Sequence, residues 1–402
     1  MKRKSGSVSL FVVLFLGVST FPGSARADAG GLLGDWGGAK TAMAERGVEV
    51  ETILTGDVVG NAVGGLERDT TVLGNLDIAA TLDTGKAGWW ENGTVFIYFL
   101  GNTGDPASEF IGDLQVTSNI EAPETLKLYE AWYDHSFADG SVSLLVGLHD
   151  YNSEFDVISS AGTLLNSSFG IGPDISQVGP SIFPTTAVAA RLKVALPGDL
   201  YGLAAVYDGV PGSPNNPRGT HIQFGSDDGL FWAGELGAVG VEGSGYYKAS
   251  MGLWGHSAEV EDFSEQVRDR NSGLYLLGER RVFTESEDET QGLVLFGRVG
   301  FARESRNAVS HYFGAGLSYL GLFEGRDADT LALGVARAEL SDDYRVVTPE
   351  STDAETAIEL NYRIAVSDFF AITPDVTVVL DPGASRGVDD AVVLTVRTEL
   401  AL

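Results

Sequence analysis

The chain has 402 residues, with 26 basic and 56 acidic side chains, a formal net charge of −30, 52 glycines and no cysteine. So acidic a surface argues against a nucleic-acid partner, which wants a basic face, and the lack of cysteine excludes a disulfide-built scaffold. With 44% hydrophobic residues placed periodically, the chain is not a disordered one either.

Met1-Lys2-Arg3-Lys4, an apolar stretch over 8–18 and Ser24-Ala25-Arg26-Ala27 form a basic start, a short greasy region and a small-x-small site. This is the pattern of a secretory signal peptide, residues 1–27, cleaved after Ala27. Removing Lys2, Arg3, Lys4 and Arg26 from the 26 basic residues leaves 22 against 56 acidic ones, a net charge of −34. Nothing later reaches the roughly 18 uninterrupted apolar residues of a spanning helix. Within 28–47, Gly34-Asp35-Trp36-Gly37-Gly38 leads into 39–47, which reads as one short helix with Asp35 near its N-terminal end and Gly47 as a left-handed stop. Two turns are marginal alone, so the helix must pack on something; the lower mouth of a barrel formed by the later strands is a candidate.

From residue 48 onward the chain is a series of sixteen strand candidates: 48–60, 74–83, 94–102, 124–137, 141–150, 187–196, 201–208, 230–241, 246–259, 271–283, 291–303, 311–319, 329–338, 354–366, 370–380 and 390–402. The last three are the clearest. Ile358, Leu360, Tyr362, Ile364 and Val366 alternate with Glu359, Asn361 and Arg363, and Val392, Leu394 and Val396 alternate with Thr395 and Arg397. Period-2 alternation gives one greasy and one charged face. That suits a half-buried sheet in a soluble domain, or a barrel wall with lipid outside and water inside. Runs of about ten residues favour the barrel, since ordinary strands average roughly five or six.

Two further patterns agree. Connections after even-numbered strands are short (138–140, 197–199, 242–244, 367–369), whereas those after odd-numbered strands are often long (103–123, 151–186, 209–229, 260–270, 339–353). Short periplasmic turns and long external loops give this rhythm, and a sandwich predicts none. Trp89-Trp90, Tyr246-Tyr247, Phe283, Tyr319, Phe323 and Phe369-Phe370 fall at the ends assigned to the periplasm, where an interfacial aromatic girdle belongs. Residues 151–186 carry Phe155, Phe169 and Phe183 with three acids as their only charges, which is poorly suited to a solvated external loop. Folding into the lumen is the expected fate; a lid across the mouth is the alternative.

If the barrel holds water, the charges alternating with lipid-facing residues belong to the lumen, because a base pointed at lipid costs roughly 2–4 kcal/mol at mid-depth. This assigns Arg191 and Lys193 on the sixth strand, Arg298 on the eleventh, Glu359 and Arg363 on the fourteenth, Asp375 on the fifteenth, and Arg397 and Glu399 on the last to the pore lining. Glu130 and Trp132 are candidates for a carboxylate and a stacking ring, but Leu126 and Leu128 share their parity and leave the facing of that strand open.

The residues also carry a resemblance. Leu33-Gly34-Asp35-Trp36-Gly37-Gly38, Leu128-Tyr129-Glu130-Ala131-Trp132, Val206-Tyr207-Asp208-Gly209, the stretch 355–364, Thr373-Pro374-Asp375 and Asp381-Pro382-Gly383 resemble the carbohydrate-selective outer-membrane porin family, the glucose-porin type. The resemblance runs nearly the whole mature chain. It implies a sixteen-stranded transmembrane antiparallel barrel over 48–402 with an inward-folded loop. It also implies passive diffusion of small sugars across the outer membrane of a Gram-negative bacterium. One departure is the ending in Leu402, where such barrels commonly end in an aromatic residue read by the outer-membrane assembly machinery.

No phosphate loop, dinucleotide fingerprint, paired-histidine metal motif or nucleophile elbow is present, so neither an enzyme nor a cofactor is expected. A serine–histidine pair on the outer wall would leave no linear signature. His135, His149, His221, His256 and His311 are scattered, and Asp327, Asp329, Asp342 and Asp343 read better as solvated turns than as a calcium site. The expected partners are small carbohydrates, outer-membrane lipid and the assembly machinery, with the barrel a monomer or a homotrimer. Two other functions compete. One is a general or cation-preferring diffusion pore, suggested by the negative charge. The other is a closed structural barrel without conductance.

Overall fold

The computed structural model describes residues 31–240, 245–285 and 291–402; the signal peptide expected over 1–27 lies outside them. The strands are β1 (Val48–Gly65), β2 (Thr70–Asp83), β3 (Gly93–Thr103), β4 (Thr125–Phe137), β5 (Val142–His149), β6 (Ala187–Ala195), β7 (Leu200–Asp208) and β8 (Leu230–Gly240). They continue as β9 (Tyr247–Glu261), β10 (Val267–Thr284), β11 (Gly292–Ala302), β12 (Val309–Leu320), β13 (Thr330–Leu340), β14 (Ala354–Ser367), β15 (Phe370–Leu380) and β16 (Asp389–Ala401). Each pairs antiparallel with its sequence neighbours, and β1 pairs with β16, so the sheet is a closed barrel. Closure matters physically, because an open edge in hydrocarbon would leave backbone groups without partners.

The alternation read from the sequence sets the two faces. Leu54 and Val58 on β1, Ile358 and Leu360 on β14 and Leu394 and Val396 on β16 are 36–49% exposed, a lipid-facing row. Their sequence neighbours Asp57, Glu359 and Thr395 are buried on the other side. Long, apolar and outward, the strands meet the bilayer as a solvent rather than packing into a core.

The short helix exists as α1 (Ala39–Ala44). The Asp35 carboxylate accepts the Thr41 backbone N–H at 2.8 Å and the Thr41 hydroxyl at 3.1 Å. Gly47, at φ +81°, ends the turn where a Cβ would press on the Asp83 carbonyl. Lys40 Nζ donates to the Leu402 carbonyl at 3.0 Å and the Leu32 N–H to Ala401 at 2.9 Å, which ties this arm to the β1–β16 seam.

Two expectations are corrected. Residues 260–270 are not a long loop: β9 and β10 continue as a hairpin, turning over 262–266 on the Asp262 carboxylate, which accepts the Ser264 and Gln266 N–H groups at 2.9 Å. Tyr246 leaves the aromatic rim, because its hydroxyl reaches inward to Glu279 at 2.5 Å, whereas Trp89, Trp90, Phe283 and Phe323 are exposed there.

Candidate functional site: the lumen

The inner wall has two unlike halves. Across β6–β9 and β11–β13 its side chains are mostly small or aromatic, Ala187, Ala189, Ala205, Ala233, Ala332 and Ala336 with Phe231, Trp254 and Phe296 among them, all buried, and a few charges (Arg191, Lys193, Glu235, Lys248 and Arg298) are set between them. Against this half packs the segment 151–186, inside the barrel, burying Tyr151, Phe155, Ile158, Leu164, Phe169 and Ile175. Removing that apolar surface from water drives the segment inward, and the alanines provide the room.

Charge then fixes it in place. Wall carboxylates capture successive backbone N–H groups. Glu279 accepts Ser159 and Ser160 at 3.1 and 2.8 Å, and Glu359 accepts Leu165 and Asn166 at 2.5 and 2.9 Å. Glu235 accepts Asp156 at 3.0 Å. Arg298 of β11 forks onto two loop carboxylates, Asp156 (2.7 Å to each oxygen) and Asp174 (2.8 and 3.3 Å). Glycines allow that approach: a Cβ at Gly172 or Gly300 would collide with this cluster. Arg191 and Lys193 of β6 hold Glu154 at 2.5 and 3.3 Å. Burial raises the Glu154 pKa, but the His149 hydrogen bond and the charges of Arg191 and Lys193 outweigh it and hold the carboxyl well below its ordinary range. Charge-assisted bonds of this kind are about twice as strong as neutral ones.

A second segment also folds inward, against the expectation of an external loop over 103–123. Its helix α2 (Ser108–Ile111) sets Ala107, Phe110 and Ile111 on Val59, Leu73, Val379 and Val393. Glu355 accepts the Leu114 and Gln115 N–H groups at 2.6 and 2.9 Å. The two segments join where the Asn119 N–H meets the Leu165 carbonyl and the Ser167 N–H meets that of Val116.

Outside the apolar patch under α2, the remaining half of the wall, β14–β16 and β1–β4, is mostly polar. Arg397 forks onto Asp57 at 2.8 Å to each oxygen, and Ser118 of the inward segment donates to the same Asp57. Tyr98 donates to Asp77 at 2.5 Å, Arg363 to Glu399 at 2.8 Å and Thr377 to Asp375 at 3.1 Å. The facing of β4 is decided by a bulge. Tyr98 pairs with Glu130 and Phe99 with Leu128, so Tyr129 is an extra residue and the parity switches there. Lys127, Tyr129, Glu130 and Trp132 therefore all turn inward while Leu126 and Leu128 face lipid. Trp132 stacks on Phe96 with ring centroids 4.9 Å apart, and its indole N–H donates to Glu130 at 3.1 Å.

All ten residues singled out from sequence thus lie on the inner face: three grip the loop, four keep part of their surface in the lumen, and Glu130, Asp375 and Arg397 are buried in contacts of the wall itself. Arg191, Arg298 and Glu359 grip the loop and are at most 4% exposed. Lys193, Arg363, Glu399 and Trp132, with Asp134 beside them, keep part of their surface in the lumen. Sequence reasoning missed Asp57, Asp77, Tyr98, Phe96, Glu235, Glu279 and Glu355, although the inward parity of β1–β3 already marked the first four. Elsewhere, Asp329 is held by Arg326 at 2.7 Å and Asp342 by Arg345 at 3.3 Å. Among the described residues no His, Asp and Glu groups converge as metal ligands.

The sixteen-stranded barrel that carries this lumen is shared with known proteins. At 23% identity, with 92% of this chain and 90% of the relative covered, the chain is similar to Porin B of Pseudomonas aeruginosa. It is also 23% identical to the putative porin QuiX of Acinetobacter baylyi, covering 90% of each. The high-pH structure of Pseudomonas putida OprB superposes with a TM-score of 0.85 at 18% identity, covering 93% of this chain and 99% of that one. The profile of the carbohydrate-selective porin, OprB family, matches residues 67–402. The chain belongs to that family and is a sugar-selective porin of the Gram-negative outer membrane.

Proposed function

We propose that sugars cross along the crescent between the inward segments and the polar half of the wall. Arg363, Glu399, Asp134 and Trp132 then line the path, with Lys193 at its edge on the covered half and Glu130, Arg397 and Asp375 in the wall behind, while Arg191, Arg298 and Glu359 hold the loop that narrows it. The observation carrying this reading is the split lumen: one half is largely apolar and covered by residues 151–186, and the other carries the Arg363–Glu399 pair, partly exposed to the remaining space. A sugar is neutral and strongly hydrated, so a passive pore selects it by width and by hydrogen bonds that replace lost water. Acids and bases in pairs offer such bonds to hydroxyls without holding a single ion tightly. The Trp132–Phe96 stack adds an apolar face for the C–H side of the ring.

Planar-bilayer conductance with and without millimolar sugars tests this reading. Sugar block with weak ion selectivity is expected; strong cation preference without any sugar effect would replace it with a cation-preferring diffusion pore. The closed-barrel alternative requires no conductance and no swelling of sugar-loaded liposomes.

We further infer that no catalysis accompanies transport. Ser310 and His311 lie 2.8 Å apart but are sequence neighbours, and Ser153 near His149 gives its proton to the Asp150 carbonyl. Residues 1–27 are proposed to leave as the signal peptide. The assembly machinery is proposed to read β16 through its outward row ending in Leu402. The barrel is taken to act as a monomer or a homotrimer.

A further inference from the structure

Arg280 sits on the wrong face for a pore residue. On β10 the outward row runs Leu274, Leu276, Gly278, Arg280 and Val282, and its leucines and valine are 36–51% exposed. Arg280 lies opposite Tyr247 of β9 and Leu295 of β11, both outward. A groove of about 500 Å³ opens between them, with Gly278 and Ala249, paired across the strands, as its floor. The inner-wall residues Lys248, Glu279 and Phe296 also border it, but Lys248 is committed inward to the Val157 carbonyl at 2.7 Å, and the loop residues that bind Lys248 and Glu279 (Val157, Ser159 and Ser160) do not, so the groove opens to the lipid side.

Depth and charge point to one occupant. Arg280 is four residues from the periplasmic end of β10, roughly 10 Å along a tilted strand. A lipid-facing arginine is costly at mid-depth and tolerated where headgroups begin. Among the described residues no carboxylate pairs with it. The Tyr247 hydroxyl is already committed to Asp199 at 2.7 Å, which leaves the guanidinium as the group that meets an anion. Its planar fork matches phosphate, and the small floor beside it fits an acyl chain.

We propose that this groove binds an inner-leaflet phospholipid of net negative charge, with the phosphate on Arg280 and an acyl chain over Gly278 and Ala249. The test is native mass spectrometry of the detergent-purified barrel, titrated with phosphatidylglycerol and, separately, phosphatidylcholine. The wild type is expected to retain phosphatidylglycerol at least about fivefold better, and R280Q to bind the two alike. A249L, which fills the floor and leaves the arginine in place, is expected to bind less of both. Heat-modifiable migration on gels checks that each variant is folded. Equal retention of the two lipids by the wild type overturns the proposal, as does a preference that survives R280Q. A loss of thermal stability in R280Q that is equal in both lipids also overturns it, because Arg280 would then be serving the neighbouring turn.

Discussion

Replacing Arg298 by methionine would leave Asp156 and Asp174 buried at 1% and 0% exposure with their shared cation gone. Removing one partner of a buried ion cluster costs about 3–5 kcal/mol, because the remaining charges stay desolvated. The protein has another way out: residues 151–186 are held by polar bonds and apolar contact, not by a strand ladder. The expected response is therefore displacement of the segment rather than unfolding of the barrel. At about 1.4 kcal/mol per factor of ten, the ratio of seated to displaced loop falls by roughly two to three and a half orders of magnitude. Single-channel recording would show a larger, noisier conductance, and hydrogen exchange would rise at Ser159, Ser160, Leu165 and Asn166, whose N–H groups are now capped by wall glutamates. Adding D156N and D174N to R298M removes the stranded charges and is expected to restore much of the wild-type trace. Unchanged conductance and exchange in R298M would refute the idea that charge clamps set the width of the pore.

The same geometry sets other outcomes. G300V drives a side chain into Asp174 and is expected to mimic R298M in milder form, measured by the same conductance assay. W132A removes one ring of the Phe96 stack. It should raise the half-blocking sugar concentration about 2–10-fold, the equivalent of an aromatic contact, with open conductance unchanged or slightly higher. Because the Glu154 carboxyl titrates below its usual value in the folded protein, its contribution is present above the unfolded pKa of 4.5 and is lost as pH falls below that value. Loop protection measured by hydrogen exchange should therefore weaken on acidification, and less so in E154Q, whose protection starts lower but stays flat.

Much of this was legible in the residues, for a physical reason. Lipid on one side and water on the other impose a strict period of 2, so Ile358, Glu359, Leu360, Asn361 and Tyr362 declare both strand and facing. The Tyr129 bulge was not legible, since one extra residue inverts parity without changing composition, and only pairing with β3 locates it. Nor was the inward course of the segment after β3, although Phe110, Ile111 and Leu114 are poorly suited to solvent. The most useful overlooked signal is the row of inward alanines on β6–β8 and β13. A water-filled wall has no need of them, whereas a wall with a segment packed against it does.

The position of the sugar path is the claim on which the rest depends, and a chain without cysteine suits a direct test. Single cysteines at D134C and E399C on the polar wall, and at A205C and A233C beneath the loop, would be exposed to a charged thiol reagent during single-channel recording. Stepwise current loss at the first pair and none at the second is the predicted result. Block at A205C and A233C with silence at D134C and E399C would place the water on the other side of the barrel and contradict the account.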